Sequence, residues 1–126
     1  MRDQPTGDQL LATARDLLRE DVLPTLSGSQ RHNALMIANA MSIAMRQLQS
    51  GDEPERRELA ALGKILPLPE SHGLALQQAL TEANRALCRL IREGRADSGQ
   101  TRDQVRALLL ETTRQRVAIS NPKYLG

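Results

Sequence analysis

The sequence predicts an all-α protein, and two observations support that prediction. Apolar residues recur at the three- and four-residue spacing of one helical face in five segments of the chain. No stretch of useful length alternates apolar and polar residues with the period of two that a half-buried strand requires, so no sheet is predicted. The breaks between segments have the lengths that connect helices in bundles. We therefore predict four long helices and one short helix in a single bundle domain over residues 1–126.

The first helix is predicted to begin at Thr6 and to end before Pro24. Thr6 and Gln9 have the spacing of a capping box, and Pro24 restricts the residue that precedes it. The apolar stripe consists of Leu10, Leu11, Ala14, Leu17, Leu18 and Val22. Asp21 falls inside this stripe and has two interpretations. It is either a carboxylate that reaches water at the end of the stripe or a partly buried carboxylate paired with an arginine.

The second helix, over residues 31–48, is predicted to be the centre of the fold. One side carries Ala34, Ile37, Ala38, Met41, Ala44, Met45 and Leu48, and a second apolar group consists of Leu35, Met36 and Ile43. A helix that is apolar on nearly all sides is usually covered by its neighbours. The exception is a column of His32, Asn39 and Arg46, whose seven-residue spacing places them along one line. Gly51 is the predicted C-terminal cap.

Three further helices complete the prediction. A short helix begins around Asp52 to Pro54 and ends between Lys64 and Leu66, and residues 67–69 cannot be helical because Pro67 and Pro69 flank Leu68. A fourth helix starts between Ser71 and Leu74 and runs to Glu93, with Leu76, Leu80, Ala83, Leu87, Leu90 and Ile91 as its stripe. The last helix opens at Ser98 or Thr101 and ends at Asn121-Pro122, with Val105, Leu108, Leu109, Thr112 and Ile119 as its stripe.

Composition excludes several classes of protein. The chain has one Tyr, no Phe and no Trp, so its core must consist of aliphatic side chains. The net charge is only +2 and the arginines are scattered, which is a poor footprint for nucleic acid. No apolar run approaches the ~20 residues that a membrane span needs. Cys88 is the single cysteine and has no internal disulfide partner, and no N-terminal signal of charged and then apolar residues is seen, so we expect a cytoplasmic protein.

No catalytic motif is present. The sequence has no glycine-rich phosphate loop, no paired CxxC and no HExxH. One Cys and two His nearly exclude a Cys/His zinc site within one chain, and neither His follows a Glu by three residues as di-iron bundles require. We predict no catalytic residue, no metal and no cofactor, and we interpret Cys88 as a small hydrophobe at the edge of the core.

Polar residues at apolar positions are the remaining signal, and three interpretations are open. They form an internal network, such as Arg116 with Asp21, with Asn39 and Asn84 as caps. Alternatively, the His32 column faces a partner in an oligomer, and the adjacent Leu35, Met36 and Ile43 supply the buried area. In the third interpretation, Arg46 and Arg116 grip an anion in a polar pocket, because the arginine fork binds two oxygens at once.

The C-terminal tail has two interpretations as well. Tyr124 and Leu125 form an apolar pair beyond the last helix. They either fold back to seal one end of the bundle or present a short hook to a partner protein, since Tyr is a frequent interface anchor.

The chain resembles a family of small bacterial proteins of unknown function. The resemblance covers almost the whole chain and is carried by Pro5-Thr6, Leu23-Pro24, Arg31, Ala38-Asn39-Ala40, Arg46, Ile91-Arg92, Gly94, Asn121-Pro122 and Tyr124-Leu125. Genes of this family often lie beside those for acyl-CoA dehydrogenases and aminoglycoside-phosphotransferase-like kinases. The resemblance therefore implies a cytoplasmic accessory role near acyl-CoA or phosphoryl-transfer enzymes.

The expected function is that of a non-enzymatic helical interaction protein, a homodimer that acts with a neighbouring acyl-CoA dehydrogenase or kinase-like enzyme. The alternative is a protein, or a cryptic enzyme, that binds a small acyl-CoA or phosphate-containing ligand in an Arg/Asn/His-lined pocket. The candidate ligand or interface residues are Asp21, Arg31, His32, Asn39, Arg46, Asn84, Arg92, Arg116 and Tyr124.

Overall fold

The computed structural model describes residues 3–68 and 75–126, and all regular structure in these ranges is helical. The five α-helices are α1 (Gly7–Leu17), α2 (Gly28–Ser50), α3 (Glu53–Ile65), α4 (Leu76–Arg92) and α5 (Gly99–Ser120). A π-helical turn (Leu18–Val22) and a 3-10 turn (Leu23–Thr25) precede α2, and a 3-10 turn (Pro122–Leu125) follows α5. The all-α prediction without a sheet is confirmed for these residues.

The helix ends follow the signals in the sequence. The Thr6 backbone N–H donates to Gln9 Oε1 at 2.9 Å, as the capping-box spacing predicted. Gly51 ends α2 with a φ of 60°, a left-handed value that favours glycine. Ser98 is the extended N-cap of α5. The predicted start of the fourth helix, residues 71–74, lies outside the described residues, and α4 begins at Leu76.

Two compact units make up the chain, Met1–Gly51 and Asp52–Gly126, and each is described by itself. The single-bundle domain therefore stays a prediction. In the first unit, α1 and α2 run antiparallel, because the start of α1 lies beside the end of α2. A Cβ built on Gly7 would lie 3.3 Å from Leu48 Cδ1. Farther along the pair, Arg15 Nη1 donates to Ser42 Oγ at 3.4 Å.

The buried part of this two-helix unit is small. Leu23, Ala34, Ala38 and Ser42 are its only buried residues among those described. Ser42 Oγ donates to the Ala38 carbonyl at 3.2 Å, so the buried hydroxyl is satisfied.

The expectation that α2 is covered on nearly all sides is wrong for several of its apolar residues. Ile37 and Leu48 from the predicted stripe are 51% and 56% exposed, and Met36 from the second apolar group is 58% exposed. The physical reason lies within the unit. There α1 packs along one narrow seam of α2, and a single helical neighbour covers only one side of a helix.

The second unit has a larger core. Leu62 of α3 is fully buried. The cluster around it consists of Leu66, Leu80, Ala83, Leu87, Leu90, Val105 and Leu108. These residues come mostly from the stripes predicted for the last three helices, which pack together so that each contributes one apolar side to a common centre.

Candidate functional site

The described residues of the second unit form a polar open cleft of about 870 Å³ between α3, α4 and α5. We call it the arginine cleft. Its charged lining residues are Glu55, Glu58, Arg85, Arg89, Arg92 and Arg116, and Gln77, Thr81, Asn84, Cys88 and Leu80 complete the wall.

Helix α4 supplies three of the four arginines. Arg85, Arg89 and Arg92 are spaced by four and three residues, so they lie on one side of the helix. The other side of α4 carries the buried core residues, including Leu87 and Leu90. Core packing of α4 therefore holds the arginine row at the surface.

Glu58 ties the three helices together within the cleft. Its side chain is only 13% exposed. Asn84 Nδ2 donates to Glu58 Oε1 at 3.2 Å and to the Leu80 carbonyl at 3.0 Å, which satisfies the half-buried amide. Arg116 Nη2 lies 3.8 Å from the same Glu58 oxygen. The carboxylate beside Arg116 in the second unit is therefore Glu58, whereas Asp21 is exposed in the first unit, and the Arg116–Asp21 pair stays a prediction.

The charges of the arginine cleft do not balance. Among the described residues that line it, four guanidinium groups face two carboxylates, a surplus of two positive charges. Within the described ranges, no carboxylate lies within 4.0 Å of Arg85, Arg89 or Arg92. On the α3 wall, the buried Oε2 of Glu55 has no hydrogen-bond partner among the described residues. The cleft is therefore positive on the α4 side and negative on the α3 side.

Among the described residues, two carboxyl groups have a clearly shifted pKa, and both lie at helix starts. The Thr6 hydroxyl donates to Asp8 Oδ1 at 2.6 Å and holds the pKa of Asp8 below its usual value. The hydrogen bond from Arg56 Nη2, 2.8 Å from Asp52 Oδ2, lowers the pKa of Asp52 in the same way. Asp8 is half-buried and Asp52 is exposed, and each carboxylate lies at the N-terminal end of a helix, where negative charge is stabilising.

The first unit carries a second candidate surface, an apolar face that we call the hairpin face. It consists of Leu10, Ala14 and Leu17 of α1 and Ile37, Met41, Ala44 and Leu48 of α2. Each of these residues except Leu48 directly precedes a buried or half-buried residue of the seam between the helices. The seam consists of Leu11, Arg15 and Leu18 on one side and Ala38, Ser42 and Met45 on the other. Two antiparallel helices are related by an approximate twofold axis perpendicular to the plane that contains them. The row on α1 and the row on α2 therefore lie on the same side of the helix pair.

Exposure on the hairpin face is high. Leu10, Leu17, Ile37 and Leu48 are all more than half exposed. The spacing is four and three residues in α1 and four, three and four in α2, which is the a/d repeat of a coiled-coil seam. The two helices thus bury one seam between them and leave a second apolar seam, the hairpin face, exposed.

The nine predicted site residues fall into separate groups. The arginine cleft brings Asn84, Arg92 and Arg116 together. The first unit holds Asp21, Arg31, His32, Asn39 and Arg46, of which Arg46 is half-buried and the others are exposed. Arg31 Nη1 donates to the Leu23 carbonyl at 3.3 Å and closes the turn before α2.

Two further expectations fail. Tyr124 is 80% exposed, so it does not seal an end of its unit, and the hook interpretation of the tail stays a prediction. Cys88 is exposed in the arginine cleft and is not a hydrophobe at the edge of the core.

Arg85, Arg89 and Glu58 line the cleft and were not predicted as site residues from the sequence. The spacing of the two arginines with Arg92 was a readable signal, because residues four and seven apart share a helix face. For Glu58 there was no such signal, since only the packing of α3 against α4 brings it to Asn84.

Neither a metal site nor a membrane span is found in the part of the chain that the structure describes. No three His, Cys, Asp or Glu side chains there are grouped so that they could hold a metal ion. The helices of these residues are too short or too polar to cross a membrane.

Comparison with known proteins places the chain in a family. The sequence profile of a domain of unknown function, DUF6285, matches residues 24–124, and the chain belongs to this family. The match runs from the 3-10 turn before α2 to the 3-10 turn after α5. Searches of curated proteins and of solved structures found no match.

Proposed function

We propose that this protein is a non-enzymatic helical interaction protein that pairs with a second copy of itself through the hairpin face. The observation that carries the proposal is the exposed a/d repeat on α1 and α2. An apolar row in this register packs knobs into holes against a matching row. The geometry that would bury it is a four-helix bundle made from two helix pairs.

The energetics of the first unit favour a partner. A unit of about this length rarely builds a sufficient core alone and gains stability from oligomerisation. Here the buried residues are one leucine, two alanines and a serine. The exposed leucines and Ile37 are each worth about 1.5–3 kcal/mol when they pass from full exposure to full burial. Covering the hairpin face would therefore add a second seam at least as apolar as the first.

A second copy is the occupant that the surface fits. A twofold dimer buries the same patch on both subunits, so the patch must be complementary to itself. Within α1 and α2, the outer flanks of the two rows carry Thr13, Asn33, Ala40 and Gln47, which are uncharged, and the charged Glu20 lies beyond the end of α1. Asp21 continues the α1 row by one step and is exposed, so its carboxylate would stay at the wet end of the bundle.

Light scattering on the full chain tests the dimer. We expect twice the 13.9 kDa monomer mass for the unmodified protein and the monomer mass for Ile37→Asp, because an unpaired charge in the seam must be desolvated. We also expect the melting temperature to rise with protein concentration for the unmodified chain and to be constant for Ile37→Asp.

Met36→Asp is the matched control, because Met36 is equally exposed but lies away from the hairpin face on α2, beside the His32 column. It should remain a dimer. A monomeric unmodified chain contradicts the proposal. If Met36→Asp is monomeric and Ile37→Asp remains a dimer, the interface lies on the side of α2 that carries the His32 column. That result also contradicts the proposal.

We propose further that the dimer acts in the cytoplasm beside an acyl-CoA dehydrogenase or an aminoglycoside-phosphotransferase-like kinase. Support for this step comes from the family resemblance in the sequence alone. Purification of the tagged chain from its native host, with mass spectrometry of the associated proteins, tests it. Recovery of either enzyme in stoichiometric amount supports the accessory role, and recovery of neither enzyme contradicts that role.

A further inference from the structure

We propose that the arginine cleft is a binding site for a small organic molecule that carries a doubly charged oxyanion, such as a phosphate monoester. This inference rests on residues of α3, α4 and α5 and is independent of the hairpin face.

The charge of the cleft sets the charge of the ligand. The surplus of two positive charges matches a phosphate monoester, which carries about −1.5 to −2 at pH 7. Arg85, Arg89 and Arg92 have no carboxylate partner among the described residues, so their donors are available to oxygen atoms. Guanidinium groups suit this ligand because each can donate two parallel hydrogen bonds to an oxyanion.

The carboxylates of α3 determine where the anion lies. Glu55 and Glu58 line the opposite wall and repel a second negative charge. Glu58 already has two polar neighbours, because Asn84 donates to its Oε1 and Arg116 Nη2 lies 3.8 Å from the same oxygen. The anion therefore binds on the α4 wall, where Arg85 to Arg92 span about 10 Å at the helical rise of ~1.5 Å per residue.

The remaining space accommodates an organic body. The volume of about 870 Å³ lies in the usual range for small-molecule sites, roughly 300–1,000 Å³. Leu80, which is 6% exposed, forms an apolar part of the wall, and the Cys88 side chain also lines the cleft. A free inorganic ion would leave this part empty, so an esterified or aromatic anion fits better.

Isothermal titration of the full chain with phenyl phosphate tests the inference, with phenol as the probe that keeps the ring and lacks the charge. We expect measurable binding of phenyl phosphate and none of phenol. Arg85→Gln and Arg89→Gln should each weaken binding about tenfold, since a hydrogen bond between charged groups is worth about 1.5–3 kcal/mol. Both side chains are exposed and outside the core, so both variants should fold.

Arg106→Gln is the matched control, because it removes the same charge from an exposed arginine of α5 that lines another concavity. It should bind phenyl phosphate as tightly as the unmodified chain. Phthalate carries two carboxylates on the same ring, so its binding relative to phenyl phosphate shows whether the cleft prefers a phosphate or a dicarboxylate. Binding of either dianion supports the site. The inference is overturned if neither dianion binds, or if Arg106→Gln weakens binding as much as Arg85→Gln and Arg89→Gln.

Discussion

The two units of this protein cover the apolar faces of their helices with different numbers of helices, two in the first unit and three in the second. In the second unit, three helices surround a cluster of five leucines and a valine with Leu62 and Ala83 at its centre. In the first unit, two helices bury one leucine, two alanines and a serine. A helix with two neighbours can bury a wide stripe, whereas a helix with one neighbour buries a narrow seam. Equally apolar stripes therefore become core in one unit and exposed surface in the other.

The comparison also separates two kinds of candidate site. The three-helix unit is stable enough in its apolar contacts to hold polar groups around a cleft, with Glu58 as the shared acceptor. The two-helix unit offers an apolar surface instead, the hairpin face. A binding cleft needs a rigid surround, and an association surface needs uncovered apolar area, so each unit provides what its packing allows.

The largest expected effect tests the difference in core size. Leu87→Ala should lower the free energy of unfolding by about 2–5 kcal/mol, because it leaves a cavity in a buried cluster. Leu35→Ala on α2, where the leucine is 43% exposed and lies off the hairpin face, should cost less than about 1 kcal/mol. Urea denaturation measures both. Similar losses for the two variants would show that the units do not differ in packing as described.

A smaller effect tests the polar wall of the arginine cleft. Asn84→Ala removes two hydrogen bonds and leaves the half-buried Glu58 without a neutral donor, so it should cost about 1–3 kcal/mol. Asn39→Ala is the matched change on α2, and it should cost less than about 0.5 kcal/mol because Asn39 is exposed. Thermal melting of the two variants compares them, and an equal cost would contradict the bracing role of Asn84.

The smallest effect concerns the start of α3. The hydrogen bond from Arg56 lowers the pKa of Asp52, so the ionised carboxylate stabilises the folded state. This contribution is fully present above the ordinary pKa of an aspartate and is lost as the pH falls through the lower folded-state value. We expect Asp52→Asn to be slightly less stable than the unmodified chain at neutral pH and equally stable once Asp52 is protonated.

A pH series of melting temperatures measures this dependence. Asp103→Asn changes an exposed aspartate of α5 for which no ion pair is found among the described residues; it is the control and should show a weaker dependence. A constant difference between Asp52→Asn and the unmodified chain across the whole range would contradict the role of the Arg56 hydrogen bond.

Much of the secondary structure could be predicted because its signals are local. The helical period, the pairing of Thr6 with Gln9 and the glycine at position 51 each act within a few residues, and all appear at the predicted places. The partner of Arg116 could not be predicted in this way. Glu58 and Arg116 are far apart in the chain, and many carboxylates compete for the same arginine until α3 and α5 are packed together.

The sequence by itself determined the class of fold and the faces of its helices, since periodicity and capping depend on neighbours along the chain. Only the tertiary structure decided which apolar faces are covered and which arginines share a cleft. Burial depends on how many helices surround a given face, and electrostatic pairing depends on distances across helices. Neither quantity is encoded in the spacing of residues along one segment.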